Sequence, residues 1–278
     1  MIQYTQTKFG IVVPRKGVFK MKKILALLLA AVMVFSFAAC GTKTASDSDL
    51  AYIKDKGTMV VGITDYAPMN FKDANGNWTG FDTEFALAVA EKLGVKVEFI
   101  EIEWSGKIME LESKAIDCVW NGMTITDEVK NGMNVTDPYV VNAQVVVMAK
   151  DKVADYKTVE DLKDLKFVAE AGSAGEAAIK DAGYEATGVL TQADALMEVS
   201  SGAADACVID ITMANAMTGE GTSYANLAAG IALTSEDYGI GFRKNSDVTA
   251  EVNKIIDELI ADGTLTALAE KYSLTLAK

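Results

Sequence analysis

The chain has 278 residues, half of them apolar, and a net charge of −13, enough material for one large or two small cores. The first 39 residues hold Lys and Arg but no Asp or Glu, so the remainder is more acidic still, which argues against nucleic acid or an anionic lipid surface as a partner. Histidine is absent, which excludes Ser-His-Asp and Cys-His catalysis and His-bearing zinc sites.

Met21 opens a second apparent N-terminus. Lys22 and Lys23 form a basic segment, and Ile24 to Ala39 is an apolar run broken only by Ser36, ending in small residues. This reads as a signal peptide rather than a membrane span. Phe37-Ala38-Ala39-Cys40-Gly41 resembles a lipobox, in which cleavage leaves Cys40 as an acylated N-terminus. Residues 1–40 are therefore expected to be a signal region, with 1–20 the product of a start codon placed too early. Residues 41–49, GTKTASDSD, read as a flexible polar tether.

Thr58 to Ile63 is a β-branched apolar strand. A loop through Asp65, Tyr66 and Pro68 follows. Asp82 is expected to cap a helix carrying Phe85, Val89 and Leu93 and stopped by Gly94. Val95 to Ile102 alternates as a strand, with Trp104 at its end and Ser105 capping a helix toward Leu111. Ile116 to Trp120 is a third strand, giving β-α-β-α-β and a parallel sheet. It turns through Asn121 and Gly122 into Met123, Thr124 and Thr126, the last an N-cap for a short helix with Asp127 and Glu128 in its first turn and Gly132 at its end.

Val140 to Lys150 is one long β-rich run. A second set then begins: a strand Leu165 to Ala169, a helix with Ser173 and Glu176 as a capping box, a helix capped by Thr191, a strand Ala206 to Ile209, and a helix opened by Asp210. Ile231 to Thr234 leads to a return crossing at Ser235 to Tyr238. Ser246 caps an amphipathic helix that stops at Gly263, and a short helix starts at Thr264. Leu111 to Gly122 weakly repeats in Val199 to Asp210, so each half holds a helix-strand unit ending in a polar turn. Cys118 and Cys207 fall in different halves and read as buried free thiols.

A strand end, a polar loop and a helix N-terminus converge between Trp120 and Asp127, and small ligands bind at such places in open α/β sheets. An ordinary well-capped crossover explains the same residues. Asp210 is likewise either a helix cap or a ligand contact, and Trp120 either core or cleft floor.

Four segments together resemble the extracytoplasmic solute-binding proteins of polar amino-acid ABC transporters: Val61 to Gly94, Glu103 to Met123, Asp117 to Tyr139 with its GMTIT-acid pair-TDPY order, and Asp237 to Asn245. The resemblance implies a two-lobed α/β periplasmic-binding-protein fold of type II. Each lobe would hold a mostly parallel sheet flanked by helices, joined by two hinge crossings, with 50–141 plus 237–278 as one lobe and 142–236 as the other. It implies an amino acid bound in the interlobe cleft and delivered to a membrane permease, by a monomer that meets the membrane only through its N-terminal lipid, with no cofactor or metal and no covalent chemistry.

Under the resemblance Asp210 meets the ligand's α-ammonium. Tyr66 and Trp104 form apolar walls, Asn121, Gly122, Met123 and Thr124 line its backbone end, Ser173 and Ala174 present amides at a helix N-terminus, and Asp65 and Gln192 select its side chain. The sequence departs from the family at Val129, where an Arg usually grips the α-carboxylate. Either Ser173, Ala174, Thr124, Thr126, Lys107 or Lys130 replaces it, or the ligand is an amine without that carboxylate. An enzyme of the same architecture, such as a cyclic-acid dehydratase, is the rival reading.

Overall fold

A computed structural model describes residues 48–278; the signal region and Cys40 lie outside them. Ser48 accepts the Ala51 amide at 3.0 Å and so caps helix α1 (Asp49–Lys56). The last two residues of the expected tether thus belong to the folded unit, because Ser48 is a side-chain cap and Asp49 is held by Arg243.

Strand β1 (Thr58–Ile63) has the expected bounds. A hairpin of β2 (Phe71–Lys72) and β3 (Trp78–Thr79) follows, too short for periodicity to reveal. Helix α2 (Phe81–Leu93) starts after Gly80, not at a capping Asp82. The Asp82 carboxylate is instead buried, accepting the Gly122 amide at 2.6 Å and the Tyr139 hydroxyl at 2.9 Å. Strand β4 (Lys96–Glu101) runs to a 3₁₀ turn over Trp104–Gly106, and helix α3 (Lys107–Glu112) continues it without the expected Ser105 side-chain cap. Strand β5 (Cys118–Val119) is shorter than expected. Helix α4 (Asp127–Gly132) is capped by Thr126, which accepts the Val129 amide, and β6 (Asn134–Val135) follows.

The long run after Tyr139 divides at Ala143 into β7 (Val140–Asn142) and β8 (Gln144–Ala149). Then come β9 (Phe167–Glu170), α5 (Ala174–Asp181), β10 (Ala186–Val189), α6 (Gln192–Ser201), β11 (Ala206–Asp210), α7 (Ile211–Met217), β12 (Leu227–Ala232), β13 (Glu236–Tyr238), β14 (Gly241–Phe242), α8 (Val248–Ala261) and α9 (Thr264–Lys271). Ser246 does not cap α8: the cap position falls on Asp247, whose carboxylate accepts from Ser48 and from the Leu50 amide instead.

These strands form two five-stranded sheets, ordered β4-β1-β5-β14-β6 and β10-β9-β11-β8-β12. In each, three strands are parallel and a returning strand is antiparallel to them: β14 against β5, and β8 against β11. Val145 to Met148 in β8 are all buried, as expected of a strand covered on both faces. Between the sheets β7 and β13 pair antiparallel, with Glu236 opposite Asn142 and Tyr238 opposite Val140. The two crossings of the chain are therefore one hydrogen-bonded ribbon. Cys118 and Cys207 are buried free thiols, and no described helix is long and apolar enough to cross a membrane.

Arg243, just after β14, ties α1 to the first sheet. Its Nε meets both oxygens of Asp49 at 3.0 Å, Nη1 donates to the Ile116 carbonyl at 2.8 Å, and Nη2 reaches Asp117 at 3.3 Å. The Asp117 side chain is fully buried and also accepts Lys56 Nζ at 2.6 Å. Removing one partner of a buried ion pair leaves an uncompensated charge, at a cost of about 3–5 kcal/mol. Arg243→Met should lower the unfolding free energy in urea by that order. A loss under about 1 kcal/mol would mean that the cluster is solvated like a surface pair.

Candidate functional site

The carboxyl ends of β4, β5, β9 and β11 converge on one cavity of about 210 Å³. That is below the 300–1,000 Å³ of drug-sized sites, so it suits a small solute. Trp104, Lys107, Asn121 to Thr124, Thr126 and Val129 form its wall on the first sheet's side. Glu170, Ser173, Ala174, Gln192 and Asp210 form the opposite wall.

Asp210 occupies the cap position of α7, yet its carboxylate makes no capping bond. Three side-chain amides hold it instead: Gln144 at 2.8 Å, and Asn142 and Gln192 at short range, while its own amide donates to Gln192 Oε1 at 2.9 Å. Asn142 and Gln144 come from the first crossing. Both also donate to Glu236 of the second crossing, at 2.7 Å each. Burial raises the Asp210 carboxyl to about 6, with Glu236 pushing the same way and the amides opposing. A capping role is thus ruled out for this side chain. Gln192, expected to select ligand side chains, spends both ends of its amide on Asp210.

The Asn121–Gly122 turn is locked from below. The Asn121 side chain accepts from the Thr64 amide and hydroxyl and donates to the Thr64 carbonyl. Gly122 has φ +54°, and a methyl group there would lie 2.6 Å from Tyr66 Cε1. Tyr66 therefore does not line the cavity. It is buried beneath the turn, where its hydroxyl meets Thr212 and Tyr238 at 2.5 Å each. Asp65 is also outside the cavity; it is exposed, and partial burial with Glu101 nearby raises its carboxyl. The Thr124 hydroxyl lines the cavity while donating to Glu236 at 2.7 Å.

Val129 is buried in an apolar cluster with Trp104, Met123 and Met133. The cation on that side is Lys107. Its Nζ donates to the Trp104 carbonyl at 3.3 Å and, across the cavity, to the Gly172 carbonyl at 3.0 Å, and lies 5.0 Å from the Trp104 ring centroid. Burial lowers its pKa, while Glu128 and Glu170 oppose that. An ammonium has three donors, so one remains. The Ser173 hydroxyl caps α5 on the Glu176 amide as expected, but Glu176 returns to the Gly172 amide rather than completing the box. The Ser173 amide donates to the Glu170 carbonyl at 3.1 Å, so Ala174 carries the open amide.

Sequence reasoning passed over Glu170, Glu128, Gly172 and Ala177 as lining residues. A signal for Glu170 existed: FVAE in β9 and CVID in β11 are both apolar strands ending on an acid.

Residues 59–275 match the model of the bacterial extracellular solute-binding proteins, family 3. The chain belongs to this family. It is 31% identical over 251 residues to the L-cystine-binding protein TcyJ of Escherichia coli, covering 88% of this chain and 94% of that protein. Among solved structures, a mutant of ArgBP from T. maritima aligns with a TM-score of 0.75 and 34% identity, over 81% of this chain and 98% of that one. The ancestral amino-acid-binding protein AncCDT-1, a precursor of cyclohexadienyl dehydratase, aligns with a TM-score of 0.74 and 37% identity, over 81% and 99%. The family is one of extracellular solute-binding proteins, and the solved relatives share the type II periplasmic-binding-protein fold. In this member the cavity between the sheets is the feature in keeping with that role.

The turn at Gly122 gives a test of how the cavity is held. Gly122→Ala forces a positive φ on a residue with a Cβ and pushes against Tyr66, at a cost of about 1–3 kcal/mol. Thermal unfolding should fall accordingly, whereas wild-type stability would mean that the turn relaxes freely.

Proposed function

We propose that this chain binds an α-amino acid in the cavity and hands it to an ABC-transporter permease, with Asp210 holding the α-ammonium. The observation that carries the reading is the Asp210 carboxylate, buried, excluded from its helix cap and aimed by three amides. The relatives support it: those above are described as cystine-, arginine- and amino-acid-binding proteins. The two lobes are 50–141 with 237–278, and 142–236. They close by rotation about the β7–β13 ribbon, which brings the Lys107 and Gly172 sides together.

The carboxylate end of the ligand lies on the Lys107 side, beside the Ala174 amide and the Thr126 hydroxyl, since Val129 offers no charge. The turn at Asn121 to Thr124 supports that end through its backbone and the Thr124 hydroxyl, and Trp104 provides the apolar wall. The protein acts as a monomer, with its anchor a lipid on Cys40. Cys40→Ser should release the protein from cells; unchanged membrane retention with normal processing would rule the anchor out.

An ammonium held by a charged acceptor is worth about 1.5–3 kcal/mol. Asp210→Asn should therefore weaken amino-acid binding by roughly 10- to 100-fold, with the melting temperature measured alongside because Asn also turns an amide toward Gln144 and Gln192. In the wild type, affinity should fall as pH drops through about 6, where the Asp210 carboxyl takes up a proton. Fold stability in the absence of ligand has the opposite sign. An acid whose pKa is raised on folding favours the fold when protonated, so Asp210 contributes less as pH rises from its unfolded value, 3.8, through about 6. Titration calorimetry with α-amino acids, their amides and their decarboxylated amines settles the carboxylate: binding of free amino acids alone supports the reading, and binding of the amines alone overturns it.

A further inference from the structure

Glu170 ends β9 inside the cavity wall at 3% exposure. Its Oε1 is buried with no hydrogen-bond partner. Lys107 is near enough to lower its pKa, but no ion pair joins the two among the described residues; two of the three Lys107 donors go to carbonyls. Burial first, then Asp210, pushes the Glu170 carboxyl up to about 8. Such a group costs free energy in the fold unless something in the cavity meets it. Every other carboxylate in the interlobe network is satisfied: Asp210 by amides, Glu236 by amides and two threonines.

The sheet places this unpartnered group next to Asp210. Strands β9 and β11 are parallel neighbours, with Phe167 opposite Ala206 and Val168 opposite Cys207. Both strands end at the cavity, β9 on Glu170 and β11 on Asp210. Both carboxylates line that cavity, Asp210 is near enough to act on Glu170 through space, and Lys107 lies in the facing wall. The buried charged groups of the lining are two acids and one lysine, Glu128 being exposed, and they leave a charge deficit when the acids are ionised. A zwitterion does not fill it, and a solute with two cationic nitrogens and one carboxylate does.

We propose that Glu170 is a specificity-determining residue that holds a second, side-chain ammonium, making the solute of this protein a diamino acid. The inference rests on the amino-acid reading above and adds the side-chain charge to it. Asp210 takes the α-ammonium, Glu170 the ammonium at the end of a short side chain, and Lys107 the carboxylate. A cavity of about 210 Å³ lined by both acids favours a short chain between the nitrogens, of the length found in 2,4-diaminobutyrate, ornithine or lysine.

The test is calorimetry on the folded protein with L-ornithine, L-lysine and L-2,4-diaminobutyrate, against the neutral L-glutamine and L-norleucine, for the wild type and Glu170→Gln. In the wild type at least one diamino acid should bind roughly 10- to 100-fold tighter than the neutral pair. In Glu170→Gln that preference should collapse toward unity while affinity for the neutral ligands holds or improves. Equal losses for charged and neutral ligands would make Glu170 a structural residue, and a wild type without preference for diamino acids would likewise overturn the proposal; both leave the amino-acid reading standing. If no α-amino acid binds the folded wild type at all, the amino-acid reading falls and this proposal with it.

Discussion

A carboxylate taken out of water must be met by donors held in place for it, and Asp210 sets that demand at the centre of this molecule. Its three amides come from three parts of the chain: Asn142 and Gln144 flank the first crossing, and Gln192 opens α6. Glu236, in the second crossing, shares two of those donors and accepts from Thr124 on the opposite wall. One network thus reaches both crossings and both walls. Each bond to a charged group is worth about 1.5–3 kcal/mol, so rearranging any one element disturbs the rest. The antiparallel β7–β13 ribbon keeps the crossings in register, which makes the cavity wall and the two crossings parts of a single polar structure.

The same logic accounts for the apolar frame. Asp82, buried under the Gly122 amide, has its carboxyl raised by burial to about 7 although Gly122, Tyr139 and Trp120 lower it. It holds the turn that lines the cavity. Tyr66 fills the space that a side chain at position 122 would need and carries its hydroxyl to Thr212 in α7. A glycine at 122 is therefore demanded twice, by its positive φ and by the ring beneath it. Gly172 is a counterpart on the other wall: φ is +72° and a methyl group would lie 2.9 Å from Ser105 Cα. That close approach lets its carbonyl receive Lys107.

Much of this was legible in the residues. β1, α4 with its Thr126 cap, α6 with its Thr191 cap and the Gly94 stop all follow from local chemistry that tertiary packing left alone. Ten of the twelve residues assigned to the ligand line the cavity, because strand ends and turns announce themselves in sequence. What failed was orientation. Asp82 and Asp210 sit where caps are expected, but their carboxylates turn inward to partners 40 and 68 residues away, and no local pattern encodes that choice. Tyr66 failed for the same reason: its loop position suggested a wall, whereas Gly122 draws the ring underneath. The β2–β3 hairpin was too short to leave a period. Glu170 was lost by ending its strand one residue early, at Ala169.

Val129 and Glu170 are best understood together. An arginine at 129 would bring a guanidinium into the wall that already holds Lys107, and two adjacent cations in a desolvated site repel unless a second anion balances them. With valine there, the position closes the apolar cluster around Trp104 and Met133, and Lys107 is left as the cation facing two acids. The buried charges of the cavity are then divided between its walls: one cation on the side of Lys107, and two carboxylates on the side of Asp210. Under the diamino-acid proposal the solute itself supplies the balancing positive charge. Under that proposal, an apolar residue at 129 and an acid at 170 belong to one charge pattern, which keeps the buried charges of the filled cavity near balance.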